Sequence, residues 1–261
     1  MKHYAFVLTL LLLSAGCNNP PKLKITDLKF GDFEKEHISI NKIDTIFLIS
    51  GNVSMNLGES DTFGYNTYDK AGNLLIEWRR VFMGHDVEYD YDSNGLVKYK
   101  DYGTDFSAKF KPTYKFIADS LLLYQFWTGN DNDTCVFKFD KTGNLIAATE
   151  YANNDQGKGK HYKTMYEYNP SGQLIRKKVA LIVKKEWLQK LELDGESIST
   201  ENLTDFFYSG NKPDSAITTF YFPTNAKRNY TSKTFFNSMG IRDTTVTMDT
   251  IITRYAYRKS A

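Results

Sequence analysis

Along most of the chain, apolar and polar residues alternate with a period of two, and the alternation is cut at intervals by short Asp-to-Gly or Asn-to-Gly segments. Residues 65–78, YNTYDKAGNLLIEW, show the unit. Alternation predicts half-buried strands on both sides of DKAG. Asp at the first turn position and Gly at the fourth predict a type I turn. In it, Asp69 accepts a hydrogen bond from a backbone N–H two residues on, and Gly72 supplies the positive φ of a G1 bulge. Tyr68 is then expected to end one strand, with Leu74, Ile76 and Trp78 on one face of the next.

The unit recurs. Asp92 and Gly95 punctuate YDYDSNGLVKY at residues 89–99, and Asp140 and Gly143 punctuate FKFDKTGNLI at 137–146. Asn169 and Gly172 do the same in YEYNPSGQLI at 166–175, where Pro170 sits at the second turn position and its fixed φ suits type I. Asn237 and Gly240 mark FFNSMGI at 235–241, and looser copies start at Tyr114 and Phe206. An aromatic residue precedes each turn and aliphatic residues follow it. The expected fold is all-β: an antiparallel meander of repeated β-hairpins forming a curved, elongated or partly wrapped sheet. Residues 23–30 (LKITDLKF) and the run from His37 through Leu57 are predicted strands, pairing with the first hairpin or capping one end of the array. TTVTMDTIITRYAYRK, near the C-terminus, predicts the last hairpin. Residues 181–205 admit two readings. Val183, Trp187 and Leu191 have helical spacing, while Asp194-Gly195 favours a hairpin.

The Y-D-x-x-G-N-L pattern resembles the YD repeat of RHS-type proteins. It matches at Tyr68, Asp69, Gly72, Asn73 and Leu74, and with one aromatic exchanged at Phe139, Asp140, Gly143, Asn144 and Leu145. Tyr91, Asp92, Gly95 and Leu96 lack the Asn, and Tyr168, Asn169, Gly172, Gln173 and Leu174 carry amide substitutes. The resemblance covers the chain from about residue 60 to 257 in diluted form. It implies a long β-sheet wrapped into a shell or spiral, and it implies carbohydrate as a ligand class.

The N-terminus begins MKHYAFVLTLLLLSAGCNNPPK. Lys2 gives a positive start, residues 4–13 form an apolar core too short to span a bilayer as a helix, and Ser14, Ala15 and Gly16 lead to Cys17. This resembles a bacterial lipoprotein signal with a lipobox. It implies a signal peptide at 1–16, a lipidated Cys17 with a short tether at 17–22, and a single β-domain at 23–261. The implied address is the envelope of a Gram-negative bacterium, lipid-anchored to the outer membrane and facing the periplasm or the surface. Four triplets, at Asp44-Thr45-Ile46, Asp119-Ser120-Leu121, Asp214-Ser215-Ala216 and Asp249-Thr250-Ile251, are similar to O-glycosylation sites of secreted proteins in some such bacteria. With Cys17 acylated, Cys135 is the remaining thiol, expected as a buried, inert side chain in a strand.

Charge narrows the partners. Lys and Arg number 33 against 31 Asp and Glu, which argues against a nucleic-acid partner. Lys and Arg fall on both strand parities, which argues against a membrane-spanning barrel. His37, His85 and His161 show no metal-ligand spacing. Asp86, Glu88, Asp90 and Asp92 share one strand parity, as a set of oxygen ligands for a cation or as a solvated edge. No G-x-S-x-G, P-loop or Cys/His dyad is present, so no enzyme activity, catalytic residue, metal or cofactor is expected. The expected function is a lipid-anchored binding or scaffold module. Its partners are the membrane, through the N-terminal lipid, and a glycan or an envelope protein. The alternatives are an envelope hydrolase with a carboxylate pair and a partner or immunity protein of a secreted toxin.

Overall fold

The computed structural model describes residues 23–25, 28–30, 33–50, 62–79, 85–103, 108–128, 131–151, 161–182, 199–222, 228–248 and 251–260. These hold one helix, α1 (Phe33–Ile40), and seventeen strands. The first nine are β1 (Ile43–Ser50), β2 (Thr62–Tyr68), β3 (Leu74–Arg79), β4 (His85–Tyr91), β5 (Val97–Gly103), β6 (Ala108–Phe110), β7 (Thr113–Ala118), β8 (Leu121–Thr128) and β9 (Asp131–Phe139). The rest are β10 (Leu145–Tyr151), β11 (His161–Tyr168), β12 (Leu174–Ile182), β13 (Glu201–Ser209), β14 (Lys212–Tyr221), β15 (Tyr230–Phe236), β16 (Arg242–Thr247) and β17 (Ile251–Lys259). The leader at 1–16, Cys17 and the 17–22 tether lie outside the described residues, as do 183–198 of the ambiguous stretch. The described ends of that stretch are strand, belonging to β12 and β13.

The protein is an all-β antiparallel meander. Each strand from β1 to β6, and each from β7 to β17, pairs with its successor. β17 then pairs back onto β1, with Tyr257 opposite Ile46. β6 and β7 are parts of one extended run interrupted at Lys111 and Pro112; β6 pairs with β5, β7 with β8. Proline has no N–H to offer a ladder, so pairing stops there. Two residues join these free edges, so the edges lie within three Cα steps, about 11 Å, of each other. The sheet therefore wraps almost completely around without zipping into a closed barrel.

A bulge repeated at one end accounts for the curvature. In the hairpins after Tyr68, Tyr91, Phe139, Tyr168, Tyr208 and Phe236, register slips by one residue on the outgoing strand just beyond the turn. A bulge bends its strand and increases right-handed twist, so repetition at one end curls the sheet. It also corrects the expected face of β3. Leu74 pairs with Tyr68 but Ile76 pairs with Thr67, so Leu75 is the extra residue. Leu74 therefore faces inward while Ile76 and Trp78 face outward.

The inner face is apolar near the turns and mixed elsewhere, with Phe220 stacked on Tyr230 at 4.5 Å and a Glu77–Arg79 ion pair at 2.9 Å. Ile38 of α1 packs with Ile43, Ile46 and Ile241, and residues Leu23, Leu28 and Phe30 pack against Leu122, Phe139 and Leu145. Toward β13–β17, inward hydroxyls pair across strands: Thr204 with Thr218 at 2.9 Å, Ser232 with Thr247 at 3.0 Å, and Thr234 with Thr245 at 3.0 Å. The outer face is charged. Cross-strand ion pairs join Arg176 to Asp205 (2.6 Å) and Lys178 to Glu201 (2.7 Å), and Arg258 reaches Asp44 (2.8 Å). Each exposed pair contributes under about 1 kcal/mol. Their presence suits a wall that meets water, since Lys or Arg at a bilayer midplane costs about 2–4 kcal/mol.

Two N-terminal expectations are corrected. Among the described residues of 23–30 there is no strand, only an isolated parallel bridge from Lys29 to Asn144. The Lys29 N–H donates to Gly143 O (2.9 Å) and the Leu145 N–H donates to Lys29 O (3.0 Å). Residues 37–40, read as strand from their β-branched alternation, are the end of α1. Eight residues are too few to hold a helix by propensity. Glu34 and Glu36 in the first turn favour its N-terminal dipole, and burial of Ile38 against the wall holds it. The turn-bearing end of the sheet is thus covered by residues 23–25, 28–30 and 33–40, the first two segments docked on the β9–β10 hairpin and α1 on β1–β2 and β15–β16.

The strap makes two turn glycines unequal. Gly72 and Gly95 both have positive φ, 78° and 75°. A Cβ on Gly72 would collide with the backbone carbonyl of Lys35 in α1, whereas one on Gly95 would meet nothing within 4 Å. Gly95→Ala is expected to destabilise by about 1–2 kcal/mol through backbone strain alone. Gly72→Ala should cost clearly more in chemical denaturation, with α1 released from the mouth as seen by amide exchange of residues 34–40.

Candidate functional site

The turns that ring the mouth share one hydrogen-bond design. The Asp69 N–H donates to Asn73 O, and the Gly72 N–H to Asp69 O, both at 3.0 Å. The Asp69 carboxylate accepts the backbone N–H groups of Ala71 and Asn73 on Oδ1, both at 2.8 Å, and the Asn73 amide on Oδ2 at 2.7 Å. Asp140 repeats the pattern with Thr142 and Asn144, and Asp92 with Asn94 and Leu96. Asn237 gathers the N–H groups of Met239 and Ile241. In the remaining copy, Asn169 takes the N–H groups of Ser171 and Gln173, and its own amide donates to Gln173 Oε1 at 2.7 Å. Donor and acceptor have exchanged places between the two side chains, which is why Asn-to-Gln succeeds where Asp-to-Asn is the rule. Burial opposes ionisation of Asp140, but hydrogen bonds from Thr142 and Asn144 outweigh it and hold its carboxyl below the usual value.

The aromatic residues before the turns brace neighbouring hairpins. Tyr91 donates its hydroxyl to Leu74 O (2.7 Å), Tyr168 to Leu145 O (2.9 Å) and Tyr208 to Leu174 O (2.9 Å). Tyr114 also bonds to the backbone of Val97, but there the phenol oxygen accepts, since the bond favours the ionised form. Each acceptor follows the preceding turn, 17 to 34 residues back for the three bonds just measured. The aromatic position is legible in the sequence but this partner is not, because the contact depends on which hairpin lies alongside. Burial pushes the Tyr168 phenol up to about 12, with Asp140 and Tyr208 adding to the shift. These hydroxyls therefore stay protonated donors.

Between the strap and the turns lies a cavity of about 1390 Å³. Its wall presents the rings of Tyr91, Tyr114, Tyr124, Phe137, Tyr168 and Tyr208. Tyr114 and Tyr124 stack at 4.8 Å, and Phe137 lies 6.1 Å from Tyr124. The strap lends His37, whose burial lowers its imidazole below the ordinary value, an effect that Glu36 opposes and Lys212 reinforces. Arg242 holds α1 from the wall through Glu34 at 2.9 Å; with 48% of the Arg side chain exposed, this is a rim contact. Asn73, Asn144 and Gln173 also line the space, but their amides are engaged in the turns. Lys29, Lys35, Glu36 and Lys212 line the space beside the rings.

The structure disperses the other candidates. His85 and His161 begin β4 and β11, and His37 lies in α1. No three His, Cys, Asp or Glu side chains among the described residues are placed to share a metal ion. Of the β4 acids, Glu88 and Asp90 lie on the outer face, Asp90 pairs with Lys98 at 3.3 Å, and Asp92 serves its turn. Cys135 is 3% exposed, and burial pushes its thiol up to about 12. Of the four Asp-Ser/Thr triplets, Thr45 is buried and donates to Asp44, which closes that hydroxyl to modification in the folded chain. Ser120 and Ser215 are partly exposed, and residues 249–250 lie outside the described residues.

No family model matches the chain, and no curated protein matches it. Among solved structures, a porin-like protein from Bacteroides uniformis is similar at 14% identity with a TM-score of 0.32. The match covers 75% of this chain and 61% of that one, so the chain spans less than two thirds of the length of that protein.

The donor–acceptor exchange can be tested by swapping it. Asp140→Asn should set two amide groups donor to donor and cost about 1–2 kcal/mol. Adding Asn144→Gln, which recreates the Asn169–Gln173 pair, should restore most of that loss in urea denaturation. A second expectation concerns acid. Because Asp140 is held below 3.8, its contribution is fully present above its unfolded value and is lost as pH falls through the lower folded value. Wild-type stability should therefore drop more steeply than that of the Asp140→Asn variant as pH is taken below 3.8.

Proposed function

We propose that the protein is a lipid-anchored envelope binding module that takes a neutral glycan on the aromatic surface of the strapped mouth. The observation that carries this reading is the concave ring-lined cavity. Its volume, about 1390 Å³, exceeds the ~300–1,000 Å³ of ordinary small-ligand pockets, which suits a chain of several sugar units. Sugar C–H faces pack on aromatic faces, and the rings of Tyr91, Tyr168 and Tyr208 line this space beside the Tyr114–Tyr124–Phe137 stack. The likeness of the turns to YD repeats supports the same ligand class, and the lipobox-like sequence ending at Cys17 supports the envelope address. Among the described residues, Glu36 is the carboxylate in the cavity lining. A glycosidase needs two acids facing the bond, so binding fits this lining better than hydrolysis. The proposal includes no metal or cofactor.

A second reading, a protein partner, is favoured by a row on the outer face. Phe47 lies 6.5 Å from Tyr65, which stacks on Trp78 at 5.3 Å. Each ring is half-buried among charged surroundings, as at the core of a small interface.

The two readings separate on ring-specific variants of the acylated full chain, screened against glycan arrays and titrated by calorimetry. For the glycan reading, Tyr91→Phe and Tyr208→Phe should bind as wild type, and Tyr91→Ala and Tyr208→Ala should weaken binding about five- to tenfold. Saturable binding to no glycan, together with capture of an envelope protein lost in Trp78→Ala, would replace it with the partner reading. Cys17→Ser should move the protein from the membrane fraction to the soluble one.

A further inference from the structure

We infer that the strapped, turn-bearing end of the sheet rests against the surface of the bilayer that holds the anchor. This depends on the anchoring just proposed. With the lipid on Cys17, residues 17–22 separate it from Leu23, and a fully extended run of that length reaches about 20 Å. Leu23 cannot carry the anchor elsewhere. With Leu28 and Phe30 it packs into the cluster of Leu122, Phe139 and Leu145 beside the turns, and Lys29 is bonded on both its N–H and its carbonyl to the β9–β10 hairpin. The mouth is therefore held within about 20 Å of the headgroups, while the far end of a nine-residue strand such as β12 stands about 25 Å beyond it.

Charge at this end is mixed. Lys24, Lys29, Lys42, Lys70, Lys141 and Lys212 are exposed there. The Asp69, Asp92 and Asp140 carboxylates hold their turns, and Glu36, Asp119, Asp214 and Asp243 are exposed among the described residues of the same end. Individual lysines within a Debye length of anionic headgroups are drawn to them, but the neighbouring acids offset that pull, so it is the tether that selects the face. In this pose the aromatic cavity opens toward the headgroup layer, and the opposite ends of the strands face away from it.

The test places a fluorophore at either end of one strand region in the full acylated protein. Ser171→Cys labels an exposed turn position, and Ile182→Cys labels the exposed far end of β12. Cys135 does not compete, being buried with its thiol pushed up to about 12. Protein is reconstituted into vesicles of phosphatidylcholine and phosphatidylglycerol carrying a headgroup nitroxide quencher. The label at 171 should lose most of its fluorescence and the label at 182 should keep nearly all of it. Equal loss at both sites, or greater loss at 182, in protein whose lipid is confirmed by mass spectrometry, overturns the orientation while leaving the anchor intact. Absence of lipid on Cys17 overturns the anchoring, and the orientation with it.

Discussion

One side-chain oxygen that collects two backbone N–H groups across a tight turn is the contact on which the rest of this structure depends. Asp69, Asp92, Asp140, Asn169 and Asn237 each make it, and each is followed by a glycine in the left-handed region. The geometry ends one strand and starts the next one residue out of step. That extra residue does two things. It bends each of these five hairpins at the same end, and it turns the first outgoing side chain, such as Leu74 or Leu145, to the interior. Curvature and core placement thus have one local cause.

A sheet of this many strands encloses more space than its own side chains can fill, because diameter grows with strand number. The structure answers with a strap. Residues 23–25, 28–30 and 33–40 lie at one mouth, filling two sites with separate apolar clusters and leaving an aromatic cavity beside them. Farther from the strap, hydroxyls of Thr and Ser satisfy one another across strands, next to the stacked pair of Phe220 and Tyr230.

The distribution of free and engaged polar groups is what separates a recognition surface from scaffolding here. Tyrosine hydroxyls tie hairpin to hairpin, and turn amides tie each loop to itself. Both lie at the cavity yet are already occupied, so the polar side chains that a guest meets belong to the strap and rim, such as Lys35, Glu36 and Lys212. The acids plentiful in the sequence mostly belong to turns or outer ion pairs, which explains why none stood out as a catalytic pair.

The sequence alone determined the hairpins, because each turn is decided within five residues: an acceptor side chain, a glycine able to take positive φ, and flanking alternation. All-β meander architecture followed from repetition of that local rule. It did not determine the path of residues 23–40. Alternating Ile and Ser at 37–40 fit a strand as well as a helix, and only the wall against Ile38 and the crowding at Gly72 select α1. It did not determine which face Leu74 takes, since one bulged residue reverses a period of two. The closure of β17 on β1, the reach of Tyr208 to Leu174 and the aromatic cavity were decided by tertiary structure alone. Each joins residues brought side by side by the accumulated bend of many hairpins, a sum that no single window of sequence contains.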